Sequence, residues 1–221
     1  MTDIFISEIF HSVQGEGVFQ GIPMVFVRFQ GCSLGCEWCD TKYTWPKGKT
    51  SRKVEHIVEQ VSGMIPSSEW VCITGGEPLE QPEAFAKLVY SLTPRFKVEV
   101  ETSGLVKLPL DPLFSRVNSW IVDLKPISAK VKLSQVYTDF ERLRKQDQLK
   151  LVVKDPDDLQ HASSVLYTFP TKAIVLVSPV FDNRGKLDIG FANTCVEFCK
   201  QNNYRLSVQI HKFLWGMKRG V

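Results

Sequence analysis

The stretch MVFVRFQGCSLGCEWCDT, residues 24–41, joins a strand-like run to a loop that contains three of the chain's six cysteines. Residues 24–30 are rich in valine and phenylalanine, which favours a buried strand. Cys32, Cys36 and Cys39 follow in a C-x3-C-x2-C spacing. The stretch therefore predicts a strand whose carboxyl end presents three thiols.

The same alternation of strand-like runs and helical segments continues along the chain. Six further apolar runs are typical of strands: WVCIT (70–74), KVEVE (97–101), WIVDL (120–124), LKLVV (149–153), AIVLV (173–177) and RLSVQI (205–210). Helical patterns lie between them at 54–61, 82–92, 133–147, from Asp155-Pro156 onward, and at 188–202. Strands that alternate with helices indicate an α/β fold with a parallel sheet.

The number of repeating units favours one architecture over another. About six βα units are fewer than the eight of a closed barrel. We therefore predict a partial open (β/α)6-type barrel with parallel strands, and a doubly wound sheet is the alternative. In both geometries the loops that follow the strands meet at one face, where ligands bind.

Five chemically suggestive loops follow the predicted strands. They are the cysteine loop, TGGEP (74–78), ETSG (101–104), DLKP (123–126) and SPVFD (178–182). Because parallel strands end at the same edge of a sheet, we expect all five loops to line one site.

Composition limits the class of protein. A chain of 221 residues with 43% hydrophobic and 23% charged residues is typical of a globular protein, and we expect a single domain over 1–221. A net charge of +3 without a basic run argues against a direct nucleic-acid partner. The apolar runs are too short for a membrane span, and no secretory signal is recognisable, so we expect no membrane partner and a cytoplasmic location.

The three loop cysteines allow several kinds of site. They could be structural thiols, zinc ligands or iron–sulfur ligands. A structural zinc ion would need a fourth ligand, and His11 or His56 would have to supply it. A 4Fe-4S cluster usually takes four thiolates, so three would leave one iron open to an external ligand.

The other three cysteines are more simply explained by packing. Cys72 alternates within a predicted strand, whereas Cys195 and Cys199 share one face of a predicted helix. We do not predict a second cluster from them.

Two motifs carry a resemblance to a known superfamily. The C-x3-C-x2-C spacing with Trp38 before the last cysteine resembles the radical S-adenosylmethionine (SAM) signature, and TGGEP resembles the GGEP motif of those enzymes. The resemblance implies a radical SAM core with a 4Fe-4S cluster held by Cys32, Cys36 and Cys39. It also implies that the open iron chelates SAM, which is cleaved to methionine and a 5′-deoxyadenosyl radical.

Motifs near both ends of the chain make the resemblance more specific, because they are similar to one family within the superfamily. FHSVQGEGVFQGIPMVFVRFQGC (10–32), the Asp40-Thr41 pair and HKFLWGMKRGV (211–221) are similar to the 7-carboxy-7-deazaguanine synthase family. This implies radical ring contraction of 6-carboxy-5,6,7,8-tetrahydropterin to 7-carboxy-7-deazaguanine with ammonia loss, in 7-deazapurine (queuosine-type) biosynthesis. A homodimer and an electron donor such as flavodoxin are also implied.

The family resemblance also implies roles for individual residues. Thr41 corresponds to a magnesium-ligating hydroxyl, so Mg2+ is an expected cofactor. The residues expected to bind the substrate are Val13, Gln14, Gly15, Glu16, Arg28, Thr74, His211 and the terminal Val221. The residues expected to bind SAM are Trp38, Asp40, Gly76, Glu77, Glu101, Ser103, Asp123, Lys125 and Ser178.

Several of these residues have other interpretations. Arg28 could clamp the substrate carboxylate or form a buried ion pair with Glu99 or Glu101, and Glu77 could pair with a lysine. His211 could be structural. Competing functions are an activase that acts on a protein glycine and a non-enzymatic zinc or iron–sulfur module.

Overall fold

The chain alternates strands with helices in a computed structural model that describes residues 2–64, 69–131, 134–182 and 184–221. The strands are β1 Asp3–Ile4, β2 Ile6–Val13, β3 Pro23–Phe29, β4 Arg52–Lys53, β5 Trp70–Gly75, β6 Lys97–Thr102, β7 Ser119–Leu124, β8 Gln148–Val153, β9 Ile174–Pro179 and β10 Arg205–Leu206. The α-helices are α1 Val54–Met64, α2 Pro82–Leu92, α3 Leu113–Arg116, α4 Pro156–Thr168, α5 Ile189–Asn202 and α6 Ile210–Trp215.

Eight strands form one sheet in the order β10-β9-β8-β7-β6-β5-β3-β2. β2 runs antiparallel to β3, and every other neighbouring pair in this sheet is parallel. β1 and β4 form a separate antiparallel pair. The predicted parallel α/β fold is confirmed. The antiparallel edge strand β2 was not predicted.

The two faces of the sheet have different chemistry. Alternate residues of the parallel strands, such as Val27, Ile73 and Val100, share one apolar core with the buried residues of α1, α2, α4 and α5. The intervening residues on the other face include Arg28 and Lys150, because side chains alternate along a strand. The four helices that share this core, α1, α2, α4 and α5, therefore lie on one face of the sheet.

Helix ends follow the expected local chemistry. The Asp155 side chain accepts a hydrogen bond from the Asp158 backbone N–H at 3.1 Å, and Pro156 opens α4. The Asp188 side chain caps α5 in the same way through the Phe191 N–H. Both helix starts agree with the sequence prediction.

The predicted helix over 133–147 is wrong for the residues that the structure describes. From residue 134 onward, this segment contains only a 3-10 helix, Tyr137–Arg142. Its polar side chains are used elsewhere, since Asp139 accepts from the Leu108 backbone N–H and Arg142 donates to the Leu108 carbonyl. Residues 132 and 133 lie outside the described residues.

The last predicted strand is also shorter than expected. Only Arg205 and Leu206 pair with β9, instead of the whole of 205–210. The chain then turns, and Ile210 begins α6 with its backbone N–H donating to the Gly15 carbonyl at 3.0 Å. His211 therefore lies in a helix that covers the cavity end of the sheet.

Candidate functional site

A cavity of about 580 Å³ lies over the polar face of the sheet, at the carboxyl ends of its parallel strands. All five predicted loops contribute to its wall, and so do residues 13–16 and 216–221. Every predicted site residue lines the cavity except Glu77 and Ser178. The topology thus brings the candidate residues from distant parts of the sequence to one place.

The three loop cysteines lie together in this wall. Cys36 packs in a small apolar cluster with Leu34 and Leu105, which Cys32 and Cys39 border. Burial raises the pKa of the Cys32 thiol to about 11, and it also raises the pKa of Cys36. A metal centre that binds them as thiolates must therefore displace their protons.

A glycine allows the second loop to approach the cysteine loop. A Cβ on Gly76 would lie 2.1 Å from the Gly31 carbonyl oxygen and 3.1 Å from the Cys32 Cβ. The Glu77 backbone N–H donates to that same carbonyl at 2.9 Å. The TGGEP loop is therefore held directly against the cysteine loop.

The donor set fits an iron–sulfur cluster better than a structural zinc ion. His211 is the only histidine among the described residues of the cavity wall, and it packs against Gly15. His11 and His56, the candidate fourth zinc ligands, are not in that wall. Three thiols without a fourth protein ligand suit a cluster with one open iron.

Trp38 is fixed by contacts that begin in helix α4. Its indole Nε1 donates to the Ser128 Oγ at 3.3 Å, and this hydroxyl donates to the Asp158 carboxylate at 2.6 Å. The Lys125 ammonium lies 6.0 Å from the centre of the Trp38 ring. The cysteine loop is thus linked through Ser128 to the first turn of α4.

Arg28 forms an ion pair with Glu8, a residue that was not predicted to be its partner. Its Nε lies 2.8 Å from the Glu8 carboxylate, because β2 places Glu8 opposite Arg28 across the antiparallel pair. The Tyr43 hydroxyl donates to the same carboxylate at 2.7 Å. The alternative ion pair with Glu99 or Glu101 is wrong, since no such pair occurs within the described part of the chain.

The side chain of Gln14 is hydrogen-bonded to other groups of the protein. Its Nε2 donates to Glu99 at 2.5 Å and to Glu101 at 3.1 Å, and its Oε1 accepts from the Glu16 backbone N–H at 3.2 Å. The Thr74 hydroxyl also donates to Glu101, at 2.7 Å. Glu101 therefore lies among residues expected to meet the substrate, although it was predicted to bind SAM.

Glu16 is surrounded by cationic and donor groups. The Lys150 ammonium lies 2.9 Å from its Oε2, and the Gln209 amide donates to its Oε1 at 2.6 Å. Burial opposes the charge of Glu16, but the Lys150 ammonium, the nearby His211 ring and the Gln209 hydrogen bond outweigh it and lower the pKa of Glu16 to about 2. Glu16 is therefore an ionised carboxylate in the cavity wall.

Glu77 and Ser178 do not reach the cavity. The buried Glu77 carboxylate accepts hydrogen bonds from the Leu79 N–H, the Thr102 hydroxyl and the Ser103 N–H, at 2.8–3.0 Å. It thereby joins the ends of β5 and β6, and no lysine of the described chain pairs with it. Ser178 is fully buried, and its hydroxyl has no hydrogen-bond partner among the described residues.

Several residues of the cavity were not predicted from the sequence. They are Tyr43, Lys150, Gln209 and Lys212. Tyr43 donates to Glu8, Lys150 and Gln209 contact Glu16, and the Lys212 ammonium lies 2.9 Å from the Asp40 carboxylate. Lys150 carried a usable signal, since a lone lysine in an apolar strand needs a partner as much as Arg28 does. The others depend on contacts between segments far apart in sequence.

The remaining cysteines behave as predicted. Cys195 and Cys199 belong to the apolar core between the helices and the sheet, and Cys72 lies in a second small apolar cluster. The Cys72 Sγ and one oxygen each of Glu99 and Glu101 lie within 4.8 Å of one another. These two carboxylates are hydrogen-bonded to Gln14, as described above.

Comparisons with known proteins agree with the site's chemistry. A family model described as a 4Fe-4S single cluster domain matches residues 13–108. The 7-carboxy-7-deazaguanine synthase of Thermoplasma acidophilum is 37% identical over 221 residues, which cover 99% of this chain and 100% of the relative. No helix in the described ranges has both the length and the apolar character needed to cross a bilayer.

Solved structures share the fold. The crystal structure of QueE from Escherichia coli matches with a TM-score of 0.75 and 26% identity over 94% of both chains. SuiB from Streptococcus suis, solved bound to S-adenosylmethionine, matches with a TM-score of 0.57 and 12% identity over 81% of this chain and 48% of that one. At this low identity, the likeness to SuiB shows the fold alone.

Proposed function

Because the chain belongs to the 7-carboxy-7-deazaguanine synthase family, we propose that it is a radical SAM enzyme that converts 6-carboxy-5,6,7,8-tetrahydropterin to 7-carboxy-7-deazaguanine. The observation that carries the proposal is the shared cavity. Three thiols, Arg28 and an ionised Glu16 line its wall. This combination offers ligands for a cluster together with a cation and a carboxylate for a polar substrate.

The cluster side of the cavity would bind the cofactors. Cys32, Cys36 and Cys39 would hold a 4Fe-4S cluster through three thiolates. When bound, the cluster supplies the electron that cleaves SAM into methionine and a 5′-deoxyadenosyl radical. The chain's own contribution is to position SAM, and the cavity-lining groups proposed for this are Trp38, Asp40, Gly76, Ser103, Asp123 and Lys125.

Two other residues have weaker support as SAM contacts. The side chains of Glu77 and Ser178 do not line the cavity. Glu77 would act by holding the TGGEP loop to the end of β6. Glu101 is better placed for the substrate, through its contacts with Thr74 and Gln14.

The other side of the cavity would bind the pterin. Glu8 holds the Nε of Arg28, and no other carboxylate of the described chain pairs with this guanidinium. The terminal nitrogens of Arg28 are thus available for the substrate carboxylate, which suits bidentate recognition. Glu16 would accept hydrogen bonds from the amino and amide N–H groups of the ring.

The remaining substrate contacts follow from the wall of the cavity. The backbone of Val13, Gln14 and Gly15 would read the ring edge, because the Gln14 amide is already used within the protein. Thr74, His211 and Val221 would complete the pocket. These residues would bind and orient the pterin for the chemistry that SAM would supply when bound, which is hydrogen abstraction at C6 and ring contraction with loss of ammonia.

Magnesium, the partners and the domain organisation complete the proposal. The Thr41 hydroxyl lines the cavity beside Cys39, with the two side chains 3.4 Å apart, and would be a ligand of Mg2+. We propose a single radical SAM domain over 1–221, a homodimer, and an electron donor such as flavodoxin. Omission of Mg2+ from the assay tests the role of Mg2+, and sedimentation analysis tests the homodimer.

The decisive experiment uses anaerobically reconstituted protein. Mixed with SAM, reductant, Mg2+ and 6-carboxy-5,6,7,8-tetrahydropterin, it should form 7-carboxy-7-deazaguanine, measured by mass spectrometry. Cys36→Ala should lose the brown colour and the activity because it removes one of three cluster ligands. Cys199→Ala is the matched control, since that thiol lies in the helix core and its variant should keep its iron.

The possible failures have different meanings. Formation of 5′-deoxyadenosine without the deazaguanine product would restrict the chain to the chemistry of the superfamily. A colourless protein that holds one zinc ion would contradict the enzymatic proposal altogether.

A further inference from the structure

A line of charged contacts crosses the cavity between its cofactor and substrate sides. The Lys125 ammonium lies 2.6 Å from the Asp123 carboxylate, and the Lys150 ammonium lies 3.4 Å from the other oxygen of Asp123. Lys150 also lies 2.9 Å from Glu16, whose second oxygen accepts from Gln209. Lys150 is thus the link between the two halves of this line.

Lys150 is buried in the middle of strand β8, with 9% of its side chain exposed. Burial disfavours its charge, but the carboxylates of Asp123, Glu16 and Glu101 outweigh this and hold the pKa of Lys150 well above its usual value. Lys150 is therefore a permanent cation at neutral pH.

The two partners of Lys150 depend on it to different degrees. Asp123 keeps a closer ion pair with Lys125 when Lys150 is removed. Among the described residues, Glu16 then keeps only the neutral Gln209 amide as a side-chain hydrogen-bond donor. Loss of the Lys150 charge should therefore affect Glu16 far more than Asp123.

We propose that Lys150 is a positioning residue for substrate binding, which holds the Glu16 carboxylate in place to receive the N–H groups of the pterin ring. This inference rests on the proposed function. Lys150 and Gln209 each contact a different oxygen of Glu16, so each oxygen keeps a lone pair for a substrate N–H. With one oxygen contacting Lys150 and the other Gln209, the Glu16 carboxylate can still accept two hydrogen bonds from the ring.

The first test separates binding of the two small molecules. Lys150→Met should raise the KM for the pterin by about 10- to 100-fold, the usual value of a hydrogen bond to a charged group, with a smaller change in the KM for SAM. Lys150→Arg, which keeps the cation, should recover much of the loss. Lys97→Met is the control, because Lys97 forms an exposed pair with Glu69 outside the cavity wall.

A double-mutant cycle distinguishes positioning from general stabilisation. In a Glu16→Gln background, Lys150→Met should add little to the KM for the pterin, because the carboxylate that it positions is already absent. Fully additive effects would overturn the proposal. Thermal unfolding and iron content are measured for each variant, so a loss of folded protein is recognised.

The pH profile gives a third readout. Without Lys150, burial should raise the pKa of Glu16, so the KM for the pterin should fall as the pH rises and Glu16 ionises. His211 and Asp40 also face Glu16, so the same profile is recorded in Glu16→Gln, where this change should be absent. A profile unchanged from that of the wild type would contradict the inference.

Failure of this inference differs from failure of the proposed function. If the wild-type protein makes no deazaguanine product, the proposed function fails, and with it this inference. If the wild type is active and Lys150→Met keeps the wild-type KM, only the role of Lys150 is wrong. Should Lys150→Met not fold, Lys150→Gln takes its place in the cycle, because it lacks the charge but retains a donor for Glu16.

Discussion

Two glutamates of this protein, the partly buried Glu16 and the fully buried Glu99, show how neighbours decide the charge of a carboxyl group. Glu16 faces the cation of Lys150, and its pKa is lowered to about 2. Glu99 is fully buried beside Glu101, and burial together with this like charge raises its pKa to about 8. Its partners Gln14 and Gln148 donate hydrogen bonds but carry no charge. Near neutral pH, Glu99 is therefore mostly protonated while Glu16 is ionised.

The raised pKa of Glu99 predicts a pH dependence of stability. From its unfolded value near 4.5 up to about 8, the unfolded state releases the proton first, so the free energy of unfolding should fall as the pH rises. Below this window the contribution is fully present. Glu99→Gln should flatten this slope, as measured by chemical denaturation at pH 5 and pH 8. An equal slope in both proteins would show that Glu99 ionises normally.

At the scale of the element, helix α4 is connected to the cysteine loop by a relay of hydrogen bonds that runs from Asp158 through Ser128 to Trp38. Asp158, in its first turn, accepts from the Ser128 backbone N–H at 3.2 Å and from the Ser128 hydroxyl, which in turn receives the Trp38 indole N–H. The Glu37 N–H also donates to the Ala129 carbonyl. The segment after β7 is thus held between a helix start and the loop of the three thiols.

This relay predicts a remote effect on the metal centre. Asp158→Ala should lower the free energy of unfolding by about 1–3 kcal/mol because it leaves partly buried donors without an acceptor. It should also speed the loss of iron to a chelator, since Trp38 loses its support. The measurement is iron release from reconstituted protein, followed by absorbance.

The same helix offers a matched control. Asp155→Ala removes the cap of α4 and should cost about 1 kcal/mol, but Asp155 does not contact Ser128 through any hydrogen bond of the described structure. Equal rates of iron release in the two variants would mean that the relay does not support the cluster loop.

The elements differed in how well the sequence predicted them. Val- and Ile-rich strands such as β9 were recognisable because burial on one sheet face imposes their composition. The segment from 134 to 147 was mistaken for a helix because its charged residues resemble a solvated helix face. In the structure Gln135 donates to the backbone carbonyls of Gly104 and Asp123, which composition cannot reveal.

At the scale of the whole molecule, the two ends of the chain meet at the cavity. The Gly17 N–H donates to the Ser207 hydroxyl at 3.0 Å, and the Gln20 amide donates to the Val208 carbonyl at 2.6 Å. Further along, Lys212 pairs with Asp40, and Arg219 stacks over the Tyr43 ring at 3.3 Å. The segment 205–221 is thus tied both to the loop after β2 and to the cysteine loop.

Because Lys212 pairs with Asp40, we expect this ion pair to slow hydrogen exchange in the C-terminal segment 210–221. Lys212→Met should increase hydrogen exchange in peptides covering 210–221 by about 10- to 100-fold, because a partly buried charged contact is lost. Exchange is measured by mass spectrometry. Lys200→Met, which removes an exposed pair with Glu197 on helix α5, should leave these peptides unchanged. Similar exchange in both variants would contradict a role for Lys212 in holding the segment.

The candidate site was only partly predictable at this scale. The cysteines and the loops after the strands could be located because spacing and parallel topology constrain them. Glu8, Gln209 and Lys212 could not, because their roles arise when β2 pairs with β3 and when the segment around the start of α6 meets the cavity. Their partners lie 20 to 193 positions away in the sequence.

The meeting of the chain ends has a consequence for biosynthesis on the ribosome. The cysteines that would hold the cluster are translated before the strands from β5 onward, whereas Gln209 and Lys212 are made after every parallel strand of the main sheet. A nascent chain therefore carries its three loop thiols before the segment 205–221 exists. Metal delivery can precede closure of the cavity, whereas a pterin pocket that includes Gln209 is complete only once translation has passed residue 209.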